Sequence, residues 1–331
     1  MINPEFKLHS DTLNPDNLES APTRNGFGEG LVEAGKRDER VVALCADLAE
    51  STRMQDFKEA FPDRYIELGV AEQNLATVGS GMANYGKIPF IASYATFSPG
   101  RNNEQIRTTI SLNKVPVKIV GSHAGLSVGP DGATHQALED IGLMRIQPHM
   151  HVISPCDSEQ ARKATLAAAE IDGPVYLRLS RAAFPVFTTA DTPFEFGKAQ
   201  MLYDSENPAV GIIATGSLVH NAILAAGQLR KEGVAASVLN VHTIKPLDDE
   251  AVVELAKRAG ALVTCEEHQV AGGLGSVVAE LLAQRQPTPI RFIGVHDSFG
   301  QSGEPHQLFE HYGLDRNSIV AAAQEVMRAK K

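Results

Sequence analysis

The chain has 331 residues, 43% of them hydrophobic and 21% charged, and its 40 acidic against 30 basic residues give a net charge of −10. That balance argues against a nucleic-acid footprint, no apolar run approaches the length of a membrane span, and the length suits two domains with separate cores. A small anionic substrate stays open, because a local cluster of Arg and His outweighs a negative global field.

The first 22 residues, rich in Asn, Asp and Pro, read as an extension lying on the surface or on a partner. They also lack the apolar core of a signal peptide. A helix over about 25–38 leads to the apolar run VVALCA at 41–46, followed by a helix near 53–60 and a strand at 65–68. A helix starts at Glu72, IPFIASYA (88–95) reads as a buried strand, and EQIRTTISLN (104–113) as a helix. VPVKIVGS (115–122) is a strand that runs into a Gly-rich loop at 123–134. HVISPC (151–156), an amphipathic helix at 158–171 and PVYLRLS (174–180) complete the first alternation. Continuous apolar strands separated by helices predict an α/β fold with a mostly parallel sheet covered on both faces.

Pro and Thr interrupt the pattern over 184–198, and a second alternation follows: AVGIIATG, ASVLNVHTI and ALVTCEE, each with a helix behind it, then a strand at 290–295. The expectation is two such domains, at 23–187 and 206–331, with a linker over 188–205. Cys45, Cys156 and Cys265 lie far apart with no CxxC pair. That is the pattern of reduced, packed thiols in a cytoplasmic protein rather than of a disulfide frame or zinc site.

Ligands of open parallel sheets bind beyond the carboxyl ends of the strands. That rule selects Asp47 and Ser51 after the first strand, Glu72 after the second and Phe97 after the third. His123, Asp131 and His135 follow the fourth, and Arg181 follows PVYLRLS. A helix first turn favours Glu through its dipole, so Glu72 alone marks only a helix start. Acids, imidazoles and a guanidinium at one sheet end suit a polar, anionic small molecule. Two His and an Asp also allow a metal, but their spacing matches no helical HExxH and no Cys joins them. EEHQVAGGLGSVVAE (266–280) lacks the GxGxxG order and reads as a tight turn into a helix rather than a nucleotide loop.

Taken together, YIELGVAEQN, YATF, EQIR, GSHAGLSVGPDGATHQALEDI and LRLSR resemble the pyrimidine-binding domain of transketolases. ATGS, IKPLD and EEHQVAGGLGS resemble the transketolase C-terminal domain. The resemblance implies a thiamine-diphosphate enzyme that moves a two-carbon ketol unit between sugar phosphates. It implies that Glu72 bonds N1′ of the cofactor's aminopyrimidine and that Phe97 lies against that ring, with Asp47 close to the cofactor and the subunit interface. It assigns Arg24, Ser51, His123 and Arg181 to the substrate phosphate, and Asp131 and His135 to the sugar hydroxyls near the scissile bond. No Gly-Asp-Gly segment occurs in the chain. The diphosphate and Mg²⁺ are therefore expected on a separate N-terminal-type subunit, in an assembly with two copies of each. Related small subunits carry an aromatic just before EQIR. Here Asn103 stands in its place, which implies a more polar or differently filled pocket. The alternatives are half of a deoxyxylulose-phosphate synthase, a 2-oxoacid dehydrogenase β subunit, or a non-catalytic interaction subunit.

Overall fold

The computed structural model describes residues 1–330. Two sheets organise the chain. The first has seven strands, in the order Thr243–Lys245, His151–Ile153, Val175–Arg178, Lys118–Ser122, Ile88–Tyr94, Val41–Cys45 and Tyr65–Glu67. All its pairings are parallel except that of Thr243–Lys245 with His151–Ile153. Every residue of Val41–Cys45, Lys118–Ser122 and Val175–Arg178 is buried. This is why those strands read as mainly apolar runs, with Lys118 and Arg178 at strand ends: helices cover both faces of a parallel sheet.

The helices Thr23–Arg37 and Ser158–Glu170 pack closely on one face. Their contact requires Gly26, where a Cβ would lie 1.7 Å from the Ser158 carbonyl oxygen. Lys118 is buried in the sheet and donates from Nζ to the carbonyls of Ile171 (2.6 Å) and Gly173 (2.9 Å), which replace water around the ammonium.

The second sheet runs Ile290–Val295, Leu262–Gln269, Val210–Ala214, Ala236–Asn240 and Gln200–Tyr203, parallel but for the last. Four elements differ from the sequence reading, the first being Gln200–Tyr203, which lies inside the expected 188–205 linker and yet forms an edge strand of the second sheet. ASVLNVHTI is two strands rather than one: Ala236–Asn240 belongs to the second sheet, and Thr243–Lys245 crosses to become the edge of the first. EQIRTTISLN makes a short turn of α-helix and then a π-helix over Ile106–Ser111. The N-terminal extension lies on the chain's own second domain. Ile2 bridges Tyr203, Asn3 N–H donates to the Leu202 carbonyl (2.9 Å), and the Thr12 carbonyl meets His220 Nε2 (2.9 Å). No helix among the described residues is long and apolar enough to cross a membrane.

Candidate functional site

Tyr65–Glu67, Val41–Cys45, Ile88–Tyr94, Lys118–Ser122 and Val175–Arg178 stand side by side in that order and all point the same way. The segments leaving their carboxyl ends therefore gather along one rim.

At one side of the rim, Glu72 opens the helix Glu72–Asn84 and is only 2% exposed. Ser93 Oγ donates to its Oε1 (3.1 Å), Arg101 Nη1 to its Oε2 (2.8 Å), and Asn102 Nδ2 to its main-chain carbonyl (2.9 Å). Burial without loss of partners is what a carboxylate needs to stay folded inward. Arg101 is half exposed, and its guanidinium carbon also stands 5.0 Å from the centre of the Phe97 ring.

From Phe97 an aromatic row crosses the rim. Tyr94 stacks on Phe97 (6.2 Å between ring centres) and on His123 (3.8 Å), and His135 meets Phe97 edge-on at 5.5 Å. At the far end, Arg24 Nη1 lies 3.2 Å from His123 Nε2 and donates to the Ser51 carbonyl (2.7 Å). Its Nε is buried without a partner. Burial and the neighbouring Arg53 and Arg181 guanidiniums hold Arg24 below its ordinary pKa. The Arg53 and Arg181 guanidiniums each repel that of Arg24, and an anion beside it would relieve that repulsion.

Burial, together with Arg24 and Arg181, pushes the His123 imidazole down from 6.5 to about 3. His123 is thus neutral in the fold while the unfolded chain takes up its proton. The sign follows: stability is complete above pH 6.5 and is lost as pH falls from there toward 3. Urea midpoints measured against pH should therefore decline in acid, and His123→Gln should decline less steeply. Parallel slopes in the two proteins would mean that His123 protonates freely in the fold.

The structure brings Glu72, Phe97, His123, His135, Arg24 and the Ser51 carbonyl onto this rim. Arg181 is tied to it by donating from Nη1 to the Val128 carbonyl (2.7 Å). Asp131 and Asp47 are both exposed. Asp47 is tied only through its main-chain N–H, which donates to Glu67 Oε1 (2.7 Å). Neither carboxylate bonds another member of the set. Asn103, at the start of the short α-helical turn Asn103–Gln105, keeps a buried Nδ2 without a partner.

Sequence reasoning missed Tyr94, Ser93 and Arg101. Tyr94 and Ser93 end a strand already selected, so extending the strand-end rule one or two residues inward would have found them. Arg101 carried no such signal. Among the described residues no group of three or more His, Cys, Asp or Glu is placed to hold a metal, so His123, Asp131 and His135 do not converge as ligands.

In EEHQVAGGLGSVVAE, Glu266 accepts the Leu274 and Gly275 N–H groups at the N-terminus of the helix Leu274–Arg285 (2.7 and 2.8 Å). The chain's own carboxylate fills the place a phosphate would take.

The family description "Transketolase, pyrimidine binding domain" matches residues 19–186, and "Transketolase, C-terminal domain" matches 197–319. The chain is 42% identical to the 6-deoxy-6-sulfo-D-fructose transketolase subunit SqwH of Clostridium sp. (strain MSTE9), over 95% of this chain and 97% of that protein. It is 37% identical to an apulose-4-phosphate transketolase subunit of Phocaeicola vulgatus, over 92% and 97%. A solved structure described as a split gene transketolase, inactive beta4 tetramer, is 44% identical. It superposes with a TM-score of 0.87 over 94% of this chain and 99% of that one.

Proposed function

This chain belongs to the transketolase family, and from that premise we propose that it is the small subunit of a split, thiamine-diphosphate-dependent transketolase acting on sugar phosphates. The observation that carries the reading is the rim itself. A buried carboxylate beside an aromatic ring stands a few side chains from a cluster of guanidiniums around a neutral imidazole.

The residues fit the cofactor's aminopyrimidine. Glu72 offers a carboxyl to a ring nitrogen, Phe97 offers a face, and Asn103 has an unpartnered buried amide. The Arg101 guanidinium now touches both Glu72 and Phe97, and a ring recognised by both would displace it. When bound, the cofactor supplies the carbanion chemistry. Glu72 holds and returns a proton at its carboxyl oxygen toward N1′, a task that needs a group able to exist in both protonation states. Arg24, His123 and Arg181 hold the substrate phosphate with the Ser51 segment, while His135 and Asp131 face the sugar hydroxyls. His123 acts as a neutral hydrogen-bonding group, because its imidazole is uncharged near pH 7. Asp47 lies toward the cofactor at the subunit junction. A partner subunit holds the diphosphate and Mg²⁺, in a cytoplasmic assembly with two copies of each chain.

The test mixes this chain with a candidate N-terminal-type subunit, thiamine diphosphate and Mg²⁺. Ketol transfer from a ketose phosphate to an aldose phosphate should occur only in the mixture. Consumption of pyruvate instead would move the chain to the synthase or dehydrogenase alternatives. Failure of every combination to bind cofactor would make it an interaction subunit.

A further inference from the structure

We infer that Glu267, from the second domain, is a positioning residue for the anion cluster of the first: it fixes the Ser127–Val128 segment, and that segment orients Arg181. The inference rests on reading Arg24, His123 and Arg181 as an anion site.

Glu267 sits near the end of the strand Leu262–Gln269 and is 3% exposed. Its Oε1 accepts the Ser127 N–H at 2.6 Å, and its Oε2 accepts the Ser217 hydroxyl at 2.6 Å. The loop approaches the carboxylate so closely that a Cβ on Gly125 would stand 2.4 Å from the carboxyl carbon. Gly125 also has φ +86°, so glycine is required there twice over. The Ser127 N–H lies two peptide units before the Val128 carbonyl in the same 3-10 turn, Leu126–Asp131, and that carbonyl accepts Arg181 Nη1 at 2.7 Å.

A second tether runs from the main chain of the same residue. The Glu267 carbonyl accepts Arg178 Nη2 at 2.8 Å, three positions before Arg181 on the segment that leads to it. Glu267 thus grips both the loop that Arg181 leans on and the strand that delivers Arg181. A buried carboxylate is a costly way to fill space, and an apolar side chain would serve packing alone. What the carboxylate adds is direction, because a charged acceptor fixes the Ser127 N–H and so pins the turn Leu126–Asp131 that carries the Val128 carbonyl.

Calorimetric titration of the full chain with inorganic phosphate at low ionic strength tests this. Glu267→Ala should weaken phosphate binding about tenfold, the scale of one charge-assisted hydrogen bond. Glu267→Gln should stay within about twofold, because its amide oxygen still accepts from Ser127 and its NH₂ still meets the Ser217 hydroxyl. Arg181→Ala should also weaken binding, and adding Glu267→Ala to it should cost nothing further beyond about twofold, since both changes remove one effect. That non-additivity separates positioning from general loosening. Should Glu267→Ala not fold, Ser217→Ala frees the same carboxylate without deleting it and should give a smaller loss that Arg181→Ala likewise masks.

Phosphate binding by Glu267→Ala at wild-type strength, additive losses in the double variant, or no phosphate binding by the wild-type chain would each overturn the inference. A coupled pair in a chain whose assembled complex transfers no ketol unit would overturn the transketolase reading and leave this positioning role in place.

Discussion

Glu72→Gln is expected to lower ketol transfer by the assembled enzyme by about 10²–10⁴-fold, the range of a positioned proton-transfer group, with the fold intact. Glutamine matches the volume of glutamate, and its amide oxygen still accepts the Ser93 hydroxyl that now bonds Glu72 Oε1. The Asn102 bond goes to the main-chain carbonyl of residue 72 and is indifferent to the side chain. What is lost is the ion pair with Arg101, whose half-exposed guanidinium can turn to water instead. An amide cannot exchange a proton as a carboxyl does, so activity falls while the fold persists. Turnover close to wild type in the assembled variant would remove Glu72 from the chemistry.

Arg178→Ala is expected to destabilise the chain by about 3–5 kcal/mol, the cost of leaving one member of a buried ion pair alone. Arg178 is 6% exposed and Asp140 is 1% exposed. Nε donates to Asp140 Oδ2 at 2.8 Å, and the Tyr176 hydroxyl donates to the same oxygen at 2.6 Å. Because Arg178 also bonds the Glu267 carbonyl, its loss opens the junction between the two domains as well as the core of the first. Burial alone would raise the Asp140 carboxyl, but the Arg178 guanidinium holds it below its ordinary value of 3.8. The pair therefore stabilises the fold above about pH 4 and is lost as pH falls through the lowered native value. Urea denaturation at pH 7 measures the loss, and a midpoint unchanged from wild type would show that Asp140 finds another partner.

Much of the first domain is legible in the sequence because its strands are buried on both faces. VVALCA, IPFIASYA and PVYLRLS are largely apolar runs, and each contains a strand of the first sheet. Once the strands are parallel, chain order alone puts Glu72, Phe97, His123 and Arg181 at one end. The three cysteines are likewise buried and unpaired.

The rest depends on contacts between distant segments. Nothing local in VLNVHTI marks the point after Asn240 where the chain leaves one sheet for the other. The spacing of EQIRTTISLN predicts a helix without distinguishing its π form. The N-terminal extension reads as merely polar, and its partner strand lies about two hundred residues away. Glu267 and Ser127 are 140 residues apart and show no pattern that joins them.

By itself the sequence determined the α/β class, the strand ends and the residue types gathered there, because hydrophobic periodicity and strand polarity are local properties of a chain. Only the tertiary structure decided that Arg101 covers Glu72 and Phe97, that Tyr94 links Phe97 to His123, and that a second-domain carboxylate accepts the Ser127 N–H in the loop behind Arg181. Those are contacts between segments distant in the chain, and packing is settled by the whole fold at once.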